Sequence, residues 1–314
     1  MAFVKWFGLL LMIWAIVGWV RFSGLPSDPI VPSLAPENDD EGGATNSLAL
    51  DGSRELESSV PILTPPAVKK HTDRVAVIIE DRPLGNLVPV MLHYHSVLGP
   101  LWPVILYTST QTADELLRSA PFSRAVASAE IEIRHLPADT SFDTHAAVSA
   151  FLASPFLWTD LAPYKKVLLF QADSILCSAS TARVDDFLDY DLLGAPIDAR
   201  FGSGFNGGLS LRNRELVLRV LERWDLGEGE FEDQWLYARM RELDEDKELV
   251  GELGVRVNLP DEEIAGRFAA ETIWMEGQRP LGFHQPHRWQ GEHMEDIMKY
   301  CPEVGMIAGS SFFG

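Results

Sequence analysis

Hydrophobic and polar positions divide this chain into three stretches. Trp6 to Val20 carries no charged residue and is flanked by Lys5 and Arg21. At about 1.5 Å per residue this run spans roughly 22 Å, and closer to about 30 Å if Ala2 to Phe22 contribute with Lys5 snorkelling. Trp6 and Trp19 stand where interfacial rings are favoured. The pattern predicts a transmembrane anchor over residues 1–22. A cleaved signal peptide needs small residues after the apolar run, whereas Val20, Arg21 and Phe22 are bulky or charged. The flanking charges are balanced; a cytoplasmic N-terminus is expected because the rest of the chain lies downstream.

From Ser23 to His71 the pattern dissolves. No aromatic residue occurs, and Pro26, Pro29, Pro32, Pro36, Pro61, Pro65 and Pro66 punctuate the stretch around an acidic Asp39-Asp40-Glu41 run. Such a segment buries too little apolar surface to offset the entropy of ordering it. Residues 23–71 read as a disordered stem, a spacer between membrane and folded part.

Periodicity returns at Val75. Val75 to Ile79, Val104 to Tyr107, Ile131 to His135 and Lys166 to Phe170 are short apolar runs suited to buried strands, with Leu192 to Ala195 and Gly208 to Leu211 as shorter ones. Helical spacing falls between them, at Leu87 to Val97, Asp114 to Ser119 with Thr112 as cap, and Thr144 to Ala153. Strand–helix alternation predicts an α/β fold over residues 72–300 with a mainly parallel sheet, followed by a tail at 301–314. In such sheets ligands sit at the carboxyl ends of the strands.

The formal net charge of −20 repels nucleic acid and anionic lipid head groups. An acidic protein that binds an anionic nucleotide needs local Arg or Lys, or a divalent metal. Cys177 and Cys301, the only two cysteines, exclude a disulfide-rich scaffold and a cysteine zinc cluster. A disulfide in an oxidising lumen and two free buried thiols both stay open.

The strand ends hold the candidate chemistry. The first strand ends in Glu80-Asp81-Arg82, where Arg82 could meet a phosphate or take part in a surface ion pair. The fourth ends in Gln171-Ala172-Asp173; Asp173 can ligate Mn2+ or Mg2+ or cap a turn. A glycine-rich stretch, Gly202 to Gly208 with Asn206, Gly207 and Gly208 at its end, lets backbone approach a ligand closely; it matches neither the dinucleotide fingerprint nor the P-loop. Glu232 and Asp233 precede an aromatic helix start, and either carboxylate suits a general base as well as a helix cap. His284 and His287 are candidate metal ligands or structural histidines.

These pieces stand in a recognisable order. The segments VAVIIEDRP, HYHSVLGP, VLLFQADSILC, YDLLGAPI, NGGLSLRNR, FEDQW, ETIW and PLGFHQPHRW cover nearly all of Val75 to Trp289. Together they resemble a fungal family of domain-of-unknown-function proteins related to GT-A glycosyltransferases. The resemblance implies a single-domain, Rossmann-like transferase of the GT-A kind using a metal-bound nucleotide sugar. The stretch matching the Asp-x-Asp metal motif has Gln171 in first place, so Asp173 alone carries over as its ligand, joined by the late His284. The implied donor site comprises Glu80, Arg82, Gln171, Asp173, Asn206, Gly207 and Gly208. The acidic pair Glu232 and Asp233 serves the acceptor.

The function expected is metal-assisted, inverting transfer of a hexose from a nucleotide sugar, UDP-linked, to a hydroxyl of a glycan, lipid or protein. The expected setting is a single-pass type II membrane protein of the Golgi or endoplasmic reticulum with a lumenal catalytic domain and no nucleic-acid partner. One alternative is a non-catalytic nucleotide-sugar- or glycan-binding membrane protein, favoured by Gln171. Another is a hydrolase using Asp173, His284 and His287. A purely structural membrane-tethered protein is the third.

Overall fold

A computed structural model describes residues 73–307, except 139, 246–250, 252, 253 and 255. The expected anchor (1–22) and stem (23–71) lie outside the described residues. Among the described residues no helix is long and apolar enough to cross a membrane.

The first half builds β1 (Arg74–Ile79), α1 (Leu87–Leu98), β2 (Val104–Thr108), α2 (Thr110–Leu116), α3 (Ala120–Ala127) and β3 (Ile131–His135), then α4 (His145–Leu152), α5 (Pro155–Asp160) and β4 (Lys166–Phe170). β5 (Ser174–Leu176), β6 (Leu192–Pro196), β7 (Phe205–Asn213), α6 (Arg214–Arg223) and α7 (Glu232–Glu245) follow. The chain closes with α8 (Glu262–Phe268), β8 (Ala269–Ala270), β9 (Gly282–His284), α9 (Pro286–Trp289) and α10 (Met294–Tyr300).

The main sheet runs β3-β2-β1-β4-β7-β6. β1 to β4 are parallel neighbours, and β7 lies antiparallel between β4 and β6. The sheet is therefore mainly parallel, with one reversed strand beside its centre. Val75 to Ile78, Val104 to Tyr107 and Val167 to Phe170 are buried because helices cover both faces. Edge strand β3 carries Glu132 and Arg134, charges that blunt an open edge.

A second sheet, β5-β9-β8, sits beyond the end of β4. Its register pairs Ser174 with His284, which brings two segments more than a hundred residues apart together at the carboxyl end of the central strand. Asn86 ties the same turn to α1 by donating to the Ala172 carbonyl (2.7 Å).

Three local readings shift. The helix expected at Asp114 starts at Thr110, because Ser109 Oγ accepts from the Thr112 backbone N–H (3.1 Å) and caps it. Thr112 is not the cap; its hydroxyl donates to the Asp81 carbonyl. A separate helix, α3, begins at Ala120 with Pro121 in its first turn. The strand expected at Gly208 to Leu211 starts three residues earlier, at Phe205, as β7. Cys301, Val304 and Ile307 are buried, and Cys301 is disulfide-bonded to Cys177, so the folded part runs past Tyr300 into the expected tail.

Candidate active site

The turn from β4 into β5 carries Gln171 and Asp173, and β9 ends in His284. His284 is buried and meets polar groups on both ring nitrogens. Its Nδ1–H donates to Glu271 Oε1 (3.0 Å), and Nε2 faces Gln171 Oε1 (3.1 Å) and Asp173 Oδ1 (3.3 Å). Asp173 is buried as well. Its Oδ2 accepts from Gln285 Nε2 (2.7 Å), while Oδ1 has no hydrogen bond and relies on its ionic contact with His284. Gln285 adopts a left-handed backbone (φ 45°), an uncommon conformation for a residue with a side chain. That geometry lets its amide N–H reach the Asp173 carbonyl (3.0 Å) while its side chain holds the carboxylate.

Burial alone would push the His284 imidazole down. Glu271 and Asp173 outweigh it and hold the imidazole up at about 10. Burial likewise works to raise Asp173, and the charge and hydrogen bond of His284, with Gln285, bring it below the usual carboxylate range.

Asp173 Oδ1, Gln171 Oε1 and His284 Nε2 thus converge on one point. Two oxygens and an imidazole nitrogen suit a hard divalent cation, which displaces the ring proton on binding. Glu271 on Nδ1 then orients the ring from behind, as carboxylates do at metal-bound histidines. The set holds a single carboxylate. Among the described residues no three or more His, Cys, Asp or Glu side chains group to hold a metal.

Strand β7 forms the adjoining wall. A Cβ on Gly208 would overlap the His284 ring and Gln171 Oε1, so this position must stay bare. Gly207 donates its N–H to Asp233 Oδ2 (2.9 Å), and Asp233 Oδ1 accepts from the Gln234 N–H (2.8 Å). Asn206 Oδ1 accepts from the Gly208 N–H (2.7 Å). The two acidic neighbours that spacing left equivalent have different surroundings. Asp233 is half-buried and lines the cleft with its carboxylate fixed by backbone. Glu232 is locked to the fully buried Arg212 by two bonds (2.6 and 3.2 Å). Burial pushes the Glu232 carboxyl up against the pull of Arg212, which sits 2.6 Å away as its partner.

A cleft of about 350 Å³ runs along these elements. Gln171, Asn206, Gly207, Gly208, Glu232, Asp233 and His284 line it. Asp173, which meets His284 at Nε2, is not among the lining residues. Glu80 and Arg82 do not line it either: Arg82 forks onto the buried Glu80 (2.9 and 3.0 Å) at the end of β1. His287 stays apart from the cluster, with Nε2 at 3.4 Å from the Val304 carbonyl oxygen.

The cleft also holds residues that the sequence reading missed: Glu271, Gln285, Arg288, Trp289 and His145. Arg288 stacks over Trp289 (4.7 Å) and has no ion pair among the described residues. His145 is lowered by burial and by the Arg288 charge, with Asp233 opposing. Glu271 and the Arg288–Trp289 pair lie inside segments quoted above, ETIW and HQPHRW. Arg288 and Trp289 directly follow the candidate ligand His287, and that adjacency was the available signal for them. Gln285 likewise directly follows His284, but its role depends on a backbone conformation that glutamine rarely adopts and that the sequence does not announce.

A family model described as "Protein of unknown function (DUF5672)" matches residues 130–284. That span contains Gln171, Asp173, Asp233, Glu271 and His284. No curated protein matches the chain. Among solved structures it is similar to the apo form of the glycosyltransferase GlyE from Streptococcus pneumoniae TIGR4, at 16% identity over 68% of this chain and 54% of that one (TM-score 0.40). A second structure of GlyE gives 16% identity, 68% and 55% coverage and a TM-score of 0.38. The mannosyltransferase PcManGT from Pyrobaculum calidifontis, in complex with GDP-Man and Mn2+, gives 13%, 62% and 56%, and 0.38. The chain spans about half the length of each of these proteins.

Proposed function

We propose that this chain is a glycosyltransferase that moves a hexose from a nucleotide-sugar donor, UDP-linked, to a hydroxyl acceptor with inversion, assisted by Mn2+ or Mg2+. The convergence of Asp173 Oδ1, Gln171 Oε1 and His284 Nε2 beside a cleft lined by Asp233 carries this reading. When bound there, the cation neutralises the diphosphate leaving group. Gln285 holds Asp173 in place, Glu271 holds His284, and bare Gly208 leaves room for the His284 ring and the Gln171 amide. The Asp233 carboxylate accepts the proton of the acceptor hydroxyl, whose oxygen forms the new bond to the anomeric carbon. The bond from that carbon to the diphosphate oxygen breaks, and its electron pair leaves with the nucleoside diphosphate. A single displacement of this kind inverts the anomeric centre. Arg288 supplies a cation on the cleft wall of an otherwise acidic chain. Arg82, forked to Glu80, has the supporting role of a nucleotide-side cation at the end of β1. The Cys177–Cys301 disulfide favours an oxidising compartment, which suits the lumenal, membrane-anchored setting proposed for the Golgi or endoplasmic reticulum.

The test is a thermal-shift series on the purified full chain with UDP- and GDP-sugars, in Mn2+ and in EDTA, followed by transfer assays. Ligand at about 100 times Kd stabilises by about 2.7 kcal/mol. A metal-dependent shift with turnover is expected; no shift and no transfer with any nucleotide sugar overturns the reading.

A second reading, nucleotide-sugar binding without catalysis, is favoured by one observation. Gln171 stands where a second carboxylate would strengthen the metal site, leaving Asp173 as the only acid at the convergence point. It requires a shift that EDTA leaves unchanged and no transfer.

A further inference from the structure

The outer wall of the cleft carries rings that proton transfer at Asp233 does not use. Phe201 and Phe231 are 48% and 54% exposed, and both line the cleft. The other exposed large apolar side chains among the described residues, Leu101, Leu117, Phe156, Met298 and Met306, are less open and line no part of it. Phe201 packs against Trp289 with ring centres 4.9 Å apart, and Phe231 against His145 at 6.2 Å. Both phenylalanines stand close to the base: Phe231 precedes the Glu232-Asp233 pair, and Phe201 accepts from Gln234 Nε2 through its carbonyl oxygen (3.2 Å). Polar groups interleave with the rings. Arg288 lies over Trp289 at 4.7 Å, and Gln234 and His145 line the same wall.

We infer that Phe201, Phe231 and Trp289 form the acceptor subsite, and that the acceptor is a carbohydrate chain; the inference rests on the transferase reading of the cleft. A pyranose has an apolar C–H face and a polar rim of hydroxyls. Flat rings interrupted by an arginine, an amide and an imidazole match both surfaces. A lipid tail calls for a continuous apolar wall, which these polar groups break. An extended peptide is captured by an open strand edge, and no residue of the edge strands β3 and β6 lines the cleft.

The experiment titrates the full chain with cellobiose, lactose, chitotriose and mannobiose by saturation-transfer NMR. It then measures transfer to the same sugars, to dodecanol and to a Ser/Thr peptide. At least one saccharide binds the wild type with saturation transfer to its ring protons. The exposed-ring variants Phe201→Ala and Phe231→Ala raise its Kd and its acceptor KM about tenfold, equivalent to about 1.4 kcal/mol, with kcat held within twofold. Phe156→Ala, an exposed ring away from the cleft, changes neither. Binding of no saccharide, unchanged Kd and KM in both cleft variants, or dodecanol or the peptide as the preferred acceptor each overturns the inference. The two failures separate cleanly. Nucleotide-sugar binding and transfer with none of the ring effects sinks only the acceptor subsite, whereas saccharide binding lost in the cleft variants without any nucleotide-sugar response sinks the transferase reading.

Discussion

At the scale of single residues, the acidic pair at the start of α7 shows how neighbours in sequence divide their work. Asp233 is held by two backbone N–H groups and opens onto the cleft, whereas Glu232 spends both oxygens on Arg212 in the protein interior. Replacing Asp233 with Asn removes the proposed proton acceptor and keeps only one of the two backbone contacts, because the amide nitrogen cannot accept from an N–H. The expected outcome is a fall in kcat of about 10²–10⁴-fold with a small fall in melting temperature from the lost backbone bond. Glu232→Ala instead leaves Arg212 buried without its counter-ion, at a cost of about 3–5 kcal/mol. Initial rates beside urea denaturation check both. A Glu232→Ala protein of wild-type stability that is as inactive as the Asp233 variant would reverse the assignment.

At the scale of elements, the small second sheet assembles the site. The turn leading into β5 and the end of β9 each contribute one side of the Asp173–His284 contact, and Cys177, directly after β5, is bonded to Cys301 after α10. Both cysteines are buried, and 124 residues separate them. Removing such a bond costs about 2–5 kcal/mol, in part by freeing the unfolded chain. Cys177→Ser with Cys301→Ser should therefore lower the urea midpoint, and reduction of the wild type should approach the same value. If oxidised, reduced and double-variant proteins unfold together, the bond contributes nothing to stability. β7 shows a further element-level effect: its glycines were legible as a close-approach motif, but only pairing with β4 and β6 makes them strand, bringing Gly207 and Gly208 against Asp233 and His284.

At the scale of the whole molecule, the chain is strongly acidic, yet its site encloses a positive charge. Without a metal, His284 is raised to about 10, above its ordinary value of about 6.5. Its contribution to stability is fully present below about pH 6.5 and is lost as pH rises through about 10. Asp173 is lowered, so its contribution is present above its unfolded value of about 3.9 and is lost as pH falls through the folded value. In EDTA, the melting temperature of the full chain should decline from pH 6.5 toward 10 more steeply than that of His284→Asn. Parallel alkaline profiles for the two proteins would count against a buried imidazolium.

Alternating apolar runs specified the strands β1 to β4 and the mainly parallel α/β order, because burial on both faces leaves a pattern that local sequence carries. The same runs pointed to the strand ends, and so to Gln171, Asp173 and the glycine pair. The sequence also specified the residue types at 232, 233 and 284. Which of them touch was decided by tertiary structure alone: the Ser174–His284 register, the left-handed turn at Gln285, the different partners of Asp233 and Glu232, and the pairing of Cys177 with Cys301. Each of these depends on groups that lie far apart along the chain or on a backbone conformation the side chain does not announce. Their contact energies exist only after the sheets have closed.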